Sequence, residues 1–190
     1  MKVVVRVAVA ATALGLTASC GPGPAEESLP TSTTEIEAPT REPRHVDGSD
    51  RPQVAFDPCL DIPDEVVTSM GFRADTESSN DFAPDTYTFL VCGWLGEGRT
   101  YSLSVRSGNV TFAEQVEQAA AYSRPTTVAG REAIAVADTG STGECFISAP
   151  TDYGILNVSR IDNRIRERGA SFEQRCDGIE EFAEPIFALL

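Results

Sequence analysis

The sequence predicts an α+β domain: an antiparallel sheet of about five strands with helices packed on one face, pinned by two disulfides. Three observations predict it. Strand-like alternation recurs between residues 86 and 161. Helix start signals lie before, between and after those strands. Four cysteines, an even number, fall after residue 53, as in small secreted domains that use cystines to supplement a limited core.

Residues 1–19 precede that domain and read as a secretory signal. Lys2 and Arg6 make a positive start, 7–16 are apolar, and Thr17-Ala18-Ser19 are small. The apolar run is too short for a typical membrane span. Leu16-Thr17-Ala18-Ser19-Cys20 resembles the bacterial lipobox, with Thr17 where Leu is usual. The resemblance implies a diacylated Cys20 (palmitate or a similar acyl chain) as the first mature residue. Two or more acyl chains give stable anchoring where one gives marginal binding. The expected location is extracytoplasmic, on the outer face of the cytoplasmic membrane.

Residues 20–52 then form the lipidated cysteine and a linker. The segment is rich in Pro, Thr, Ser and Glu and poor in large apolar side chains. Such a composition buries too little surface to offset ordering entropy, so disorder is expected. A coil of this length spans roughly 30 Å. The globular domain is expected over 53–190.

The first helix of the domain is expected over 63–70. Pro63 suits the first helical position, Asp64 and Glu65 complement the positive helix end, and Gly71 suits a left-handed stop. Residues 86–94 are apolar on both faces and read as a central strand, and 95–99 as a hairpin turn. Tyr101, Leu103 and Val105 alternate with Ser102, Ser104 and Arg106, which leaves one face wet. Thr111 and Glu114 form a capping box that opens the second helix. Residues 133–137, 145–149 and 155–161 supply further strands, with a hairpin turn at 140–143. Ser171 and Gln174 open the last helix. Its apolar positions, Phe172, Cys176, Ile179, Ala183, Ile186 and Leu190, recur every three or four residues. Pro185 is expected to kink it or end it near Glu184.

Charge and residue usage narrow the chemistry. The chain carries a net charge of −14, and loss of Lys2 and Arg6 with the signal takes it to −16. That field repels nucleic acid at long range. His45, the only histidine, lies in the linker, and Lys2 is the only lysine. Ser-His-Asp, Cys-His, Schiff-base and Ser-Lys chemistry therefore have no residues to use in the domain. No cofactor and no metal site is expected, since phosphate-binding glycine motifs and zinc spacings are both absent. Carboxylates are plentiful, with Asp57, Asp61, Asp64, Glu65, Asp75, Glu77, Asp81 and Asp85 closely spaced, so a carboxylate-based glycan hydrolase is the enzymatic alternative. Against this acidity stand Arg160, Arg164, Arg166 and Arg168, clustered before the last helix. They are a candidate anion site, because guanidinium binds phosphate or carboxylate through paired hydrogen bonds.

With Cys20 committed to lipid, Cys59, Cys92, Cys145 and Cys176 allow three disulfide pairings. Phe56-Asp57-Pro58-Cys59, Ile62-Pro63 before a helix ending at Gly71-Phe72, Cys92-Gly93-Trp94, a late strand cysteine and a last-helix cysteine carry a resemblance. Together they resemble the actinobacterial lipoproteins grouped as domain of unknown function 3558, over about residues 54–190. The resemblance implies an envelope location and a cysteine framework, and no settled activity. At fold level the element order is similar to that of Mog1/PsbP-like domains, by analogy alone. Element positions favour Cys59–Cys92 and Cys145–Cys176, each of which staples a helix-bearing segment to a strand. The functional expectation is a membrane-anchored, non-enzymatic binding or scaffold module that works with an envelope protein or glycolipid.

Overall fold

Regular structure begins where Asp57 caps a proline-led turn. Its carboxylate accepts the Cys59 N–H, and Pro58 occupies a first-turn position where no N–H is needed, so α1 forms over Pro58–Asp61. The structure is a computed structural model that describes residues 42–137, 140, 143–165 and 170–190. Helix α2 (Asp64–Ser69) follows, with Pro63 as its N-cap, and stops at Met70 before Gly71 at φ 86°. Strands β1 (Phe72–Ser79), β2 (Phe89–Gly96) and β3 (Tyr101–Gly108) come next, then α3 (Phe112–Ala119). Strands β4 (Ser123–Val128), β5 (Arg131–Val136), β6 (Glu144–Thr151) and β7 (Gly154–Asp162) precede α4 (Phe172–Cys176) and α5 (Ile179–Phe187). All seven strands form one antiparallel sheet in the order β1-β2-β3-β7-β6-β5-β4.

The sheet has seven strands rather than about five. The two extra strands, β1 and β4, are its edges. Edge strands bury little, and Phe72 and Val128 are the only buried residues of β1 and β4 respectively. Their sequences, Arg-Ala-Asp-Thr-Glu and Ser-Arg-Pro-Thr-Thr, therefore carry no apolar alternation. The charges and Pro125 suit exposed edges that resist further pairing. The centre also moves: β7 takes the middle position and β2 lies second from an edge.

One face of the sheet holds the main core. Cys92, Trp94, Leu103, Val105, Ile147, Leu156 and Val158 meet Val67 of α2 and Ile179, Ala183, Ile186 and Phe187 of α5. Trp94 is fully buried, and its indole N–H has no acceptor among the described residues. The expectation of helices on one face needs correction. Ile134 and Val136 alternate with Ala133 and Ala135 on β5, so the two sets point to opposite faces. Ala119 of α3 packs on Ile134 and Val136, which places α3 on the second face. That face also carries a polar cluster. Arg106 pairs with Glu144 at 3.1 Å, Ser159 donates to the same carboxylate at 2.7 Å, and Arg106 stacks over Phe146.

The last helix is two helices. Gly178 takes φ 64° and separates α4 from α5, while the apolar spacing runs through the break undisturbed. Pro185 does not end the helix, which continues to Phe187. Both cystines are formed. Cys59–Cys92 joins α1 to β2, and Cys145–Cys176 joins β6 to α4, each with Cα atoms 5.2 Å apart. Arg175 adds a buried tie from α4, donating to the Ala137 carbonyl at 2.6 Å.

Residues 42–52, which composition assigns to the linker, lie against the domain in the structure. Arg44 holds Asp57 through two bonds of 2.6 and 2.9 Å and reaches Asp81 at 3.3 Å. Asp47 accepts from Thr88 and from the Asn109 side chain, both at 2.8 Å. Arg51 grips Glu114 with 2.6 and 2.8 Å bonds and also donates to the Thr86 and Asn109 carbonyls. Charge-assisted bonds of this kind are about twice as strong as neutral ones, which offsets the ordering of a polar strap. The expected signal and Cys20 lie outside the described residues, as do linker residues 21–41. No helix among the described residues is long and apolar enough to cross a membrane.

Candidate functional site

Three local events meet at one end of the sheet and leave a cleft. Gly71 stops α2, so β1 starts at once with Phe72, whose pairing partner is Gly96. The chain then leaves β2 through a single 3-10 turn over Glu97–Arg99 and returns as Tyr101. From the other side α5 brings Phe182 against Phe72, edge to face, with ring centroids 5.8 Å apart. The resulting cleft has a volume of about 410 Å³ and is walled by Met70, Phe72, Thr100, Tyr101, Phe182 and Arg160, with exposed Glu97 also contributing. That size and lining, mostly apolar with a few polar groups, fits small-molecule sites, which run from roughly 300 to 1,000 Å³.

Arg160 is the half-buried cation of this cleft. It sits on β7 opposite Leu103 of β3, on the face covered by α4 and α5. Its Nη2 donates to the carbonyl oxygens of Asp177 and, at 3.4 Å, Arg175, which close the α4–α5 junction. Its guanidinium carbon lies 5.5 Å from the Phe182 ring centroid. No carboxylate lies within ion-pair distance of Arg160 among the described residues. Arg164 reaches the same corner differently. It stacks over Tyr101 at 4.6 Å and pairs with Asp162 at 2.8 Å. So of the predicted cluster Arg160 lines the cleft, while Arg164 stacks on Tyr101, a residue of its wall. Arg166 and Arg168 lie outside the described residues.

The aromatic half of the site was not read from sequence. Phe182 falls one position off the regular apolar stripe of the last helices, next to Ala183. An aromatic beside the stripe, facing neither core nor solvent fully, was the available signal. Tyr101 reads only as the start of a strand. Trp94, the lone Trp, is core and is not among the residues that line this cleft.

Other clusters serve the framework. Asp57 is nearly inaccessible and committed to Arg44 and the α1 cap, while Asp61 accepts the Asp57 N–H at 2.6 Å. Asp81 accepts from the Val91 N–H and faces His45 at 3.2 Å. Glu77 lies within 4.8 Å of both sulfurs of Cys59 and Cys92, but those sulfurs are joined to each other and leave a single free ligand. Bonds from Arg51, and from Thr111, hold the Glu114 carboxyl well below the usual carboxylate range. Bonds from Ser49, Asn109 and Thr88 do the same for Asp47, against the opposing effect of its burial. Burial pushes the Tyr153 phenol up, where it shares a 2.8 Å bond with Ser107. None of these groups lines the cleft, where Glu97 is the only carboxylate among the described residues.

A family model described as protein of unknown function (DUF3558) matches residues 15–188. No curated protein and no solved structure matches the chain.

Proposed function

This chain belongs to the DUF3558 family, and from that premise we propose that it is a lipid-anchored, non-enzymatic binding module of the cell envelope. The cleft beside Arg160 carries the reading. It offers apolar walls and, among the described residues, one cation, the features that hold and orient a ligand. Among the described residues its lining holds no histidine, lysine or thiol, and one carboxylate where glycan hydrolysis uses two. The carboxylates that motivated the hydrolase alternative, from Asp57 to Asp85, lie elsewhere.

The location is part of the same proposal and rests on residues 1–20. A signal ending at an acylated Cys20 would hold an actinobacterial lipoprotein at the outer face of the cytoplasmic membrane. The partner would be an envelope protein or glycolipid. The analogy to Mog1/PsbP-like domains stays a proposal about element order alone and supplies no activity.

Native mass spectrometry of the full chain taken from the membrane fraction tests this. We expect a mature chain that starts at acylated Cys20 and carries a non-covalent ligand. Thr100→Trp, which fills the cleft, should lose that ligand. An unmodified Cys20 removes the anchor. Turnover of cell-wall glycan by the purified protein, abolished by an Asp or Glu substitution, replaces binding by hydrolysis.

A further inference from the structure

Building on the binding-module reading, we infer that the cleft takes a small anionic amphiphile: an apolar ring system or short chain that ends in a carboxylate, phosphate or sulfonate. The volume sets the size. At about 410 Å³ the cleft sits near the lower end of small-molecule sites, which suits one compact apolar group rather than both tails of a membrane lipid. The walls set the body of the ligand, since Met70, Phe72, Tyr101 and Phe182 present apolar and aromatic surface.

Arg160 sets the charge. The Asp177 and Arg175 carbonyls and the Phe182 ring fix its guanidinium in place. Its Nε and Nη1 donors have no acceptor among the described residues. A half-buried guanidinium without a carboxylate partner, in a chain of net charge −14, is poised for a planar or tetrahedral anion. Two other charges bear on the corner. Arg164 is compensated by Asp162. Glu97 opposes an anion, but it is exposed, where water and salt screen it more than they screen Arg160.

Two probes with the same rings separate charge from apolar fit: 8-anilino-1-naphthalenesulfonate and neutral N-phenyl-1-naphthylamine. The protein is the full mature chain with Cys20→Ala, secreted behind an ordinary signal peptide, so that no acyl chain or detergent competes. We expect the sulfonate to bind at one site about tenfold more tightly than the neutral probe, the order of one charge-assisted hydrogen bond. Arg160→Met should bring it to the neutral level, and Arg160→Lys should retain part of the difference. Glu97→Gln, which leaves the carbonyl anchors of Arg160 intact, should tighten the sulfonate about twofold, the small effect expected of an exposed charge, and leave the neutral probe unchanged. Thr100→Trp should block both. Equal binding of the two probes, still blocked by Thr100→Trp, overturns the anionic ligand and leaves the binding module standing. Absence of binding, or binding indifferent to Thr100→Trp, overturns the module itself. Octanoate should displace the sulfonate. Displacement by phosphatidylglycerol vesicles and not by octanoate overturns the small free amphiphile in favour of a bilayer lipid.

Discussion

Asp57 does two jobs with one carboxylate. It caps α1 through the Cys59 N–H and clamps Arg44 of the strap. Asparagine keeps a capping oxygen and loses the charge that Arg44 reads. We expect Asp57→Asn to cost about 1–2 kcal/mol and Asp57→Ala about 2–3, the sum of a lost cap and a weakened charged pair, measured by urea unfolding at pH 7. Glu114 gives the residue scale its pH dependence. Its carboxyl is held below its ordinary value of 4.5 in the folded chain, first by Arg51. A depressed folded value means that the contribution is whole above pH 4.5 and fades as acid is added toward the folded value. The urea midpoint gap between the native chain and Glu114→Gln should therefore be constant from pH 6 to 8 and should shrink below pH 4.5. A gap that widens on acidification would contradict the assignment. Asp47 works in the same direction. None of this was visible in composition, because a polar segment announces its charges and not the partners 13 to 63 residues away that order them.

At the scale of elements, the α4–α5 break turns on Gly178. Its φ of 64° lies in the left-handed region, and a Cβ there meets nothing closer than 3.5 Å. The cost of Gly178→Ala is thus conformational and should be about 1–2 kcal/mol, with Asn tolerated better than Ala. Equal stability of the Ala and Gly chains would show that the helices can run on through the break. The break also explains what the sequence made legible and what it hid. Both capping boxes, at Thr111 and Ser171, formed because their signals are local. The bend at Gly178 left no trace in an apolar spacing that suits one helix or two. The polar edges β1 and β4 were hidden because strand alternation is a signature of burial, and edges bury little. The cleft inherits this: Arg160 and Arg164 stood out as charges in an acidic chain, while Phe72 and Phe182 met there only through pairing across distant elements.

At the scale of the whole molecule, one sheet carries two cystines, each of which ties one short helix, α1 or α4, to a strand. Cys59–Cys92 fixes α1 to β2, and Cys145–Cys176 fixes α4 to β6 beside the central β7. The two bridges span 33 and 31 residues and do not overlap in sequence. In the chain-entropy model each restricts the unfolded chain by about 3.5 kcal/mol, and because the closed loops are separate their effects should add. Together they approach about 7 kcal/mol, comparable with the roughly 5–15 kcal/mol that holds an ordinary domain folded. Paired Ala substitution of one cystine should therefore leave a folded domain with a lower urea midpoint. Loss of both should leave it unfolded or marginal in water at 25 °C. Replacing Cys145 and Cys176 should do more than lower the midpoint, because α4 and its C-cap carry the Arg175 and Asp177 carbonyls that steady Arg160. That variant should lose the preference for the sulfonate probe while still folded, whereas the Cys59 and Cys92 variant, whose cystine ties α1 to β2, should keep it. A fully folded chain without either cystine would mean that the sheet and its helices hold together by packing alone.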